Sequence, residues 1–331
     1  MRDALVCPGC RTRTAGRIDL RTLARAGDLL VCECGRRYPV IDQVPVVLAD
    51  ARGLFRNEIA GLVERDMPPE VAALLAEAGP DDAPWPRLLE HLSIYLDAHW
   101  GDRAAPPPDG PGAELAASAI LDRIAGRARD RVGLAVELGC SVGRIVSELA
   151  RGADRVIGLD LHFGAVRRAR RLLAGETLAY ARRIVGRRYL PATVAAGDRA
   201  VPEGRTTLVC ADALDPPLLP GVFDRVVALN LIDSVASPRQ LVGVVDTLCA
   251  EGGEVIFASP YAWQSGIVDD DARLGGDDPA ADLAALIRQG DGLSGRYQVE
   301  DEADLRWTLR RDARTAVVYR CHYLRTRKRK R

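Results

Sequence analysis

The sequence predicts an α/β fold, a mostly parallel sheet with helices on both faces. Three observations carry this. Val132 to Leu138 is an apolar run that breaks into Gly139-Cys140-Ser141-Val142-Gly143, and a helical pattern opens near Arg144 with Ile145, Leu149 and Ala150. Apolar runs recur at Val156 to Asp160, Thr207 to Cys210, Phe223 to Asn230 and Glu254 to Ala258, separated by helix-patterned stretches. Strand, glycine turn and helix in that order present backbone N–H groups to a nucleotide.

Length and composition bound the rest. A chain of 331 residues predicts two or three domains with a sizeable core, and 47% apolar residues argue against disorder throughout. The formal net charge is zero, so no global field steers the chain toward nucleic acid or membrane. Lys328 and Lys330 are the only lysines, and the abundance of Arg and Ala reads as a genomic base-composition bias. Arg2 and Asp3 open the chain without an apolar run behind them, and no run approaches the ~20 residues of a spanning helix. The expectation is a cytoplasmic protein that does not enter the membrane. Four of the eight cysteines crowd near the start, which without a secretion signal favours metal over disulfides.

Residues 1–50 form the first predicted unit. Cys7-Pro8-Gly9-Cys10 is one knuckle and Cys32-Glu33-Cys34-Gly35 the second, so four thiolates are available for a structural tetrahedral zinc. Four thiolates leave no open position for catalysis. With Tyr38-Pro39-Val40-Ile41-Asp42-Gln43-Val44-Pro45-Val46-Val47-Leu48 behind them, these residues resemble the zinc ribbon that serves as activator subunit of tRNA and protein methyltransferases. The second pair departs from the family's C-x-x-C; it is C-x-C, which leaves open a ribbon without stable metal.

Residues 51–130 read as a helical linker or lid. Amphipathic stretches run from Arg56 to Asp66, Pro69 to Ala78 and Leu115 to Ala128. A Pro-rich break falls at Asp81 to Pro86 and a hinge at Arg103 to Gly112. Leu88, Leu89, Leu92, Tyr95 and Leu96 recur at helical spacing, ending near His99-Trp100-Gly101. Tyr95, His99 and Trp100 are either core or the inner face of a helix closing over a site. Residues 131–324 hold the main sheet. Within them Glu176 to Tyr189 is expected to be helical, and Tyr297 to Leu309 and Ala316 to Leu324 are the last two strands. Arg325 to Arg331 reads as a separate basic tail, either a phosphate-binding run or a disordered end.

Across residues 131–324, E-L-G-C-x-V-G, V-I-G-L-D, A-D-A, F-D-x-V-x-x-x-N-L and G-G-x-V-x-x-x-S-P-Y follow one another. The series resembles class I S-adenosylmethionine-dependent methyltransferases, which implies a Rossmann-like sheet of seven strands. The rival NAD-binding fingerprint has G-x-G-x-x-G, whereas the spacing here is G-x-x-x-G. Gly139 and Gly143 let the backbone approach a ligand without a Cβ in the way. Asp160 lies roughly 20 residues beyond the turn, where a carboxylate reaches ribose hydroxyls. The resemblance implies a donor site made of Glu137, Gly139, Cys140, Gly143, Asp160, Leu161, His162, Asp212, Ala213 and Asn230. Leu161 and His162 would pack the adenine, Asp212 and Ala213 would meet its edge, and Asn230 would stand next to the transferred methyl.

Gly139 to Arg144, Asn230-Leu231, Ser259-Pro260-Tyr261-x-Trp263, Leu274-Gly275-Gly276 and the stretch Asp304 to Tyr323 resemble a narrower group. This is the 4-mercaptohistidine N-methyltransferase domain of ovothiol biosynthesis. It implies a small polar acceptor, an amine or imidazole. Candidates for proton handling are Asp233, His99, Tyr95 and Tyr261, and none stands at a spacing that singles it out. Asp233 also reads as a helix cap, and Tyr261 and Trp263 as packing. Asp269, Asp270 and Asp271 read as a solvated turn or an ammonium site. An RNA or protein acceptor recruited by the ribbon and the basic tail is the alternative, and an inactive scaffold the third reading. The oligomeric state is not legible.

Overall fold

The computed structural model describes residues 4–14, 17–50, 71, 74, 93–103, 119–127 and 130–329. The stretches Arg56 to Asp66 and Asp81 to Pro86 lie outside these, as do most of Pro69 to Ala78, the hinge after Arg103, the start of the Leu115 helix and Lys330-Arg331.

One seven-stranded sheet dominates. Its strands are β1 (Val132–Leu138), β2 (Ala153–Asp160), β3 (Thr206–Cys210), β4 (Phe223–Leu229), β5 (Cys249–Ser259), β6 (Tyr297–Arg310) and β7 (Ala316–Lys328). They are ordered β3-β2-β1-β4-β5-β7-β6. The first five are parallel, and β7 inserts antiparallel between β5 and β6. Helices α1 (Ala119–Arg127), α2 (Arg144–Leu149) and α3 (Phe163–Leu173) cover one face, while α4 (Pro238–Leu248) and α5 (Pro279–Gln289) cover the other. Burial on both faces explains why β1, β4 and β5 are nearly unbroken apolar runs. The chain leaves β1 toward β2 and returns on its far side as β4. The crevice at their C-terminal ends is thus a topological switch point.

The N-terminal unit is not a free-standing bead. Asp42 and Gln43, at φ 48° and 63°, make the tight turn between the strands Arg37–Ile41 and Val44–Pro45. Beyond it, Val46 bridges Cys210 in parallel and Val47 N–H donates to the Cys210 carbonyl at 2.9 Å, so the segment continues the sheet past its β3 edge. Val6 N–H donates to the Pro217 carbonyl, and Arg11 pairs with Asp215 at 2.7 Å. Leu5, Leu23, Leu30, Val40 and Val47 join the apolar layer under α4 and α5, so the unit shares the domain's core.

Two expectations need correction. The predicted helix over Glu176 to Tyr189 is instead a hairpin, Thr177–Val185 against Arg188–Ala195, turning at Gly186 with φ 52°. Leu178 and Tyr180 are buried between exposed Thr177 and Ala179, a period of two that the Arg- and Ala-rich composition masked. The basic tail is corrected as well. β7 runs to Lys328, and Arg325 is buried between Glu254 (2.8 Å) and Glu300 (2.6 Å). Arg327 also pairs with Glu300, and the buried Lys328 ammonium holds Asp246 at 3.0 Å. The Arg325 and Lys328 charges are spent inside the fold, where unpaired carboxylates would otherwise be costly, while Arg327 stays at its surface. Helix α5 is an addition: Asp278 caps it, Pro279 opens it and Gly290 closes it with φ 72°, a start-and-stop signature present in the sequence.

Burial alone would raise the Glu254 and Asp246 carboxyls. For Glu254 the charges of Arg225 and Arg325 outweigh it; for Asp246 the Ser294 N–H, Lys328 and the Tyr297 hydroxyl do. Both end below their ordinary values. They therefore contribute stability above the ordinary carboxylate pKa, and it is lost as pH falls through the depressed values. Glu254→Gln leaves the buried Arg225 without its charge partner and Arg325 with Glu300 alone, and should cost about 3–5 kcal/mol in urea unfolding at neutral pH. The mutant should also lose less stability on acidification than wild type.

Candidate functional site

The C-terminal ends of β1, β2, β4 and β5 converge on one crevice. Three residues other than glycine adopt left-handed backbone there: Ser141 (φ 47°) after β1, Asn230 (φ 49°) after β4 and Tyr261 (φ 53°) after β5. Such strain persists where surrounding structure enforces it, and it clusters at functional sites.

Asp160 organises the turn. One carboxylate oxygen accepts the Ser141 N–H at 2.9 Å and the other the His162 N–H at 2.8 Å. It therefore ties the end of β2 both to the glycine turn and to the start of α3. Burial pushes its carboxyl up, against these backbone donors. Gly139 and Cys140 N–H groups donate to the Leu159 carbonyl, and Gly143 N–H to that of Cys140. Gly143 sits at φ 79°, where a Cβ would come within 2.8 Å of the Ala169 Cβ. The turn is thus pressed against α3.

Glu137 is buried, its Oε2 has no hydrogen-bond partner, and burial followed by the nearby Asp160 charge raises its carboxyl well above the ordinary value. Leu161, beside Asp160, is 51% exposed, whereas Leu159 two residues earlier is fully buried. His162 caps α3, its Nδ1 accepting the Ala165 N–H at 3.0 Å. Asp212 folds back on the Leu214 N–H at 2.8 Å, and Ala213 is buried next to it. Cys140 is fully buried and burial raises its thiol well above the usual range, which makes it inert and leaves its backbone as the useful part.

A helical stretch at 93–100 lies over the turn. The Trp100 indole N–H donates to the Val142 carbonyl at 2.9 Å. Arg144 at the start of α2 reaches the His99 carbonyl at 3.0 Å and Asp102 at 2.6 Å, with its guanidinium 5.2 Å from the Trp100 ring centroid. Trp100 and His99 are both buried, so this stretch packs as core against the turn. Among the proton-handling candidates, His99 is corrected to a packing residue. It is buried edge-on against Trp307 with 5.3 Å between centroids, and burial, then the Arg144 charge, pushes it down to about 3. Tyr95 is half-buried; burial raises its phenol, as do the neighbouring charges of Asp160, Tyr319 and Asp233.

Asp233 and Tyr261 come together across the crevice mouth. Asp233 accepts the Ala262 N–H at 2.8 Å, and burial raises its carboxyl. The cap or turn reading for Asp233 is thus partly right, since it fastens the loop after β5. The Tyr261 hydroxyl lies 2.9 Å from His322 Nδ1, and His322 Nε2 lies 3.1 Å from Glu302. His322 and Glu302 were absent from the sequence-derived site. The signal that finds them is register: β7 runs antiparallel to β5 and sets His322 opposite Ser259, two residues before Tyr261. Asp269, Asp270 and Asp271 are exposed, as a solvated turn would be, and Asp270 pairs with Arg273.

In the N-terminal unit, Cys7, Cys10, Cys32 and Cys34 place their sulfurs within 4.8 Å of one another. Cys7 and Cys34 are 4.0 Å apart, and Cys10 and Cys32 are 3.7 Å apart. Sulfurs around a tetrahedral zinc at 2.3 Å stand about 3.8 Å apart, so the set fits. Gly35, at φ 86°, follows the shortened C-x-C pair, and its N–H donates to the Cys32 carbonyl at 2.9 Å, closing a tight turn around it. Tyr38 hydroxyl lies 3.1 Å from the Cys7 sulfur and an Arg36 N–H donates to that of Cys34 at 3.7 Å, polar partners of the kind that orient thiolate ligands. The Arg36 backbone N–H first, and the neighbouring thiols, hold Cys34 down to about 6.

Gly143→Ala forces a Cβ into Ala169 from a left-handed backbone. It should destabilise the protein by about 1–3 kcal/mol, read as a fall in the urea midpoint at unchanged slope.

Comparison with known proteins bears on the domain. Residues 136–257 match the methyltransferase domain family. No curated protein matches the sequence. Among solved structures, phosphoethanolamine N-methyltransferase 1 of Haemonchus contortus is similar at 13% identity and TM-score 0.45, over 80% of this chain and 50% of that one. A methyltransferase of Bacillus halodurans is similar at 13% identity and TM-score 0.42, over 63% and 99%. The N-methyltransferase NodS of Bradyrhizobium japonicum is similar at 14% identity and TM-score 0.39, over 76% and 100%. With its sheet order and glycine turn, the chain carries a class I S-adenosylmethionine-dependent methyltransferase domain.

Proposed function

We propose that the protein N-methylates a small amine or imidazole acceptor, of which histidine derivatives are one candidate class. The observation that carries this is the acidic, aromatic mouth opposite the glycine turn. The buried Asp233 carboxyl lies near Tyr95 and Tyr261, and Asp278, Glu302 and Asp304 add negative charge around Tyr261. Such a pocket favours a flat or cationic ligand. Glu137, Gly139, Cys140, Gly143, Asp160, Leu161, His162, Asp212, Ala213 and Asn230 are the residues that would hold the donor. The unpaired Glu137 oxygen, the strained turn and the exposed Leu161 fit a cationic nucleoside. When bound, S-adenosylmethionine supplies an already activated methyl group. The chain's own residues then have to exclude water, align the acceptor and receive its proton. With Arg325 and Lys328 paired inside the fold and Arg327 held by Glu300 at its surface, less of the basic run is left for an RNA acceptor.

The four cysteines are proposed to hold one structural zinc that fastens the ribbon to the β3 edge. With no open position on the metal, it takes no part in the reaction.

S-adenosylhomocysteine should bind in calorimetry, and a panel of histidine-derived, amine and RNA acceptors should give a methylated mass product from the first two classes only. Asp160→Ala should weaken donor binding by about 2 kcal/mol. Because burial raises the Asp160 carboxyl, wild-type affinity should fall on acidification at a pH above the ordinary Asp range, and the mutant's should not. Metal analysis should find one zinc per chain, and Cys10→Ser should lose it and lower the melting temperature.

A further inference from the structure

Beyond β5 the β6–β7 hairpin carries His322 to the acceptor side of the sheet. Its ring lies against Tyr261, with centroids 6.1 Å apart, and is itself buried. The hydrogen bonds fix the direction of the protons. Glu302 as a carboxylate only accepts, so His322 Nε2 carries the hydrogen across the 3.1 Å contact. In a neutral imidazole Nδ1 is then the acceptor, and the Tyr261 hydroxyl donates to it at 2.9 Å. The far end of this chain is open: the Glu302 side chain is 35% exposed against 7% for His322, and its other oxygen accepts from Arg288 at 2.6 Å. Tyr261, at the pocket end, is the residue held in the left-handed region, its N–H pinned by the Ser259 hydroxyl.

We propose that Tyr261, His322 and Glu302 form a proton-exit path from the acceptor pocket to solvent. The proposal rests on the N-methylation reading. It makes the acceptor a nitrogen that sheds a proton, an amine or imidazole N–H. The steps balance as follows. The N–H bond of the methylated, cationic acceptor breaks and its electron pair stays on nitrogen. The proton forms an O–H bond on Tyr261 as the original phenolic proton moves to His322 Nδ1. The resulting imidazolium is paired with Glu302 and passes the Nε2 proton through Glu302 to water. After the product leaves, water reprotonates Nε2 through Glu302 as the Nδ1 proton returns by way of Tyr261 to water in the pocket, which restores the starting tautomer. Tyr261 is a catalytic residue in this scheme. His322 and Glu302 act through it. The charged groups facing the path are Asp233 from the β4 side, Asp278 before α5, Glu302 and Asp304 on β6, with Arg288 on Glu302 and Arg320 on Asp304.

The test starts without any acceptor. Long-range 15N NMR of the full-length protein, with the four histidines labelled and His322→Gln used for assignment, reads the tautomer directly. His322 should carry its proton on Nε2 at neutral pH, and Tyr261→Phe should move the Nδ1 resonance. A proton on Nδ1, or no response to Tyr261→Phe, overturns the path whether or not the protein methylates anything. With an acceptor from the panel, Tyr261→Phe should lower kcat roughly 100-fold and His322→Gln at least about 10-fold. Both losses should shrink as pH rises and hydroxide takes the proton, with S-adenosylhomocysteine affinity unchanged. A kcat kept within about twofold in Tyr261→Phe overturns the path even if the tautomer is correct. Failure of S-adenosylhomocysteine to bind the wild type instead overturns the methyltransferase reading and leaves the NMR result standing.

Discussion

The Asp160 carboxylate is the interaction on which the site depends. Its two oxygens accept one N–H from the glycine turn and one from the residue that caps α3. A single side chain therefore sets the distance between the end of β2 and the turn after β1. It does so while buried, where its charge is costly and only backbone donors offset the cost. A donor's ribose hydroxyls would add to a carboxylate that is already held in place. The organisation is economical: the same group builds the cradle and stays available to its occupant.

Around this latch, the 93–100 helix and the N-terminal unit fasten other parts of the molecule to the sheet. Trp100 and Arg144 bring the 93–100 helix down on the turn by hydrogen bonds to backbone carbonyls, so its position depends little on the identity of the turn's side chains. Asp97 in the same helix accepts from Tyr180, Arg182 and Arg310, joining the inserted hairpin and the tip of β6 to it. At the opposite end, the N-terminal unit pairs with the exposed β3 edge and lends its apolar residues to the core. An open sheet edge is a site of unwanted pairing, and here the chain covers its own.

The acceptor side is built differently. Asn230, Asp233 and Tyr261 follow the ends of parallel strands, but His322 and Glu302 arrive on the antiparallel β6–β7 hairpin. Cys321 donates to the Asn230 side chain at 3.5 Å, so the same hairpin that brings the histidine also holds the residue after β4. Donor-side residues come from the parallel half of the sheet, and the polar chain leading outward comes from the antiparallel half.

The parallel half was legible in the sequence because each element carries a local signal. A fully buried strand is an apolar run, a tight turn before a helix needs glycine at positive φ, and the carboxylate that latches it sits at the strand end. The four cysteines were legible as a ligand set for the same reason, although only the structure shows that a C-x-C pair brings its sulfurs within reach of the other two. The hairpin at Thr177–Ala195, the fate of the basic tail and the Tyr261–His322–Glu302 chain were decided by tertiary structure. In each case the deciding partner is distant in sequence: Asp97 for the hairpin's Arg182, Glu254 for Arg325, and Ser259 opposite His322 in register. The sequence pattern announced a helix over Glu176 to Tyr189 and a separate basic tail, because a local pattern records which residues are charged and not which carboxylates will meet them.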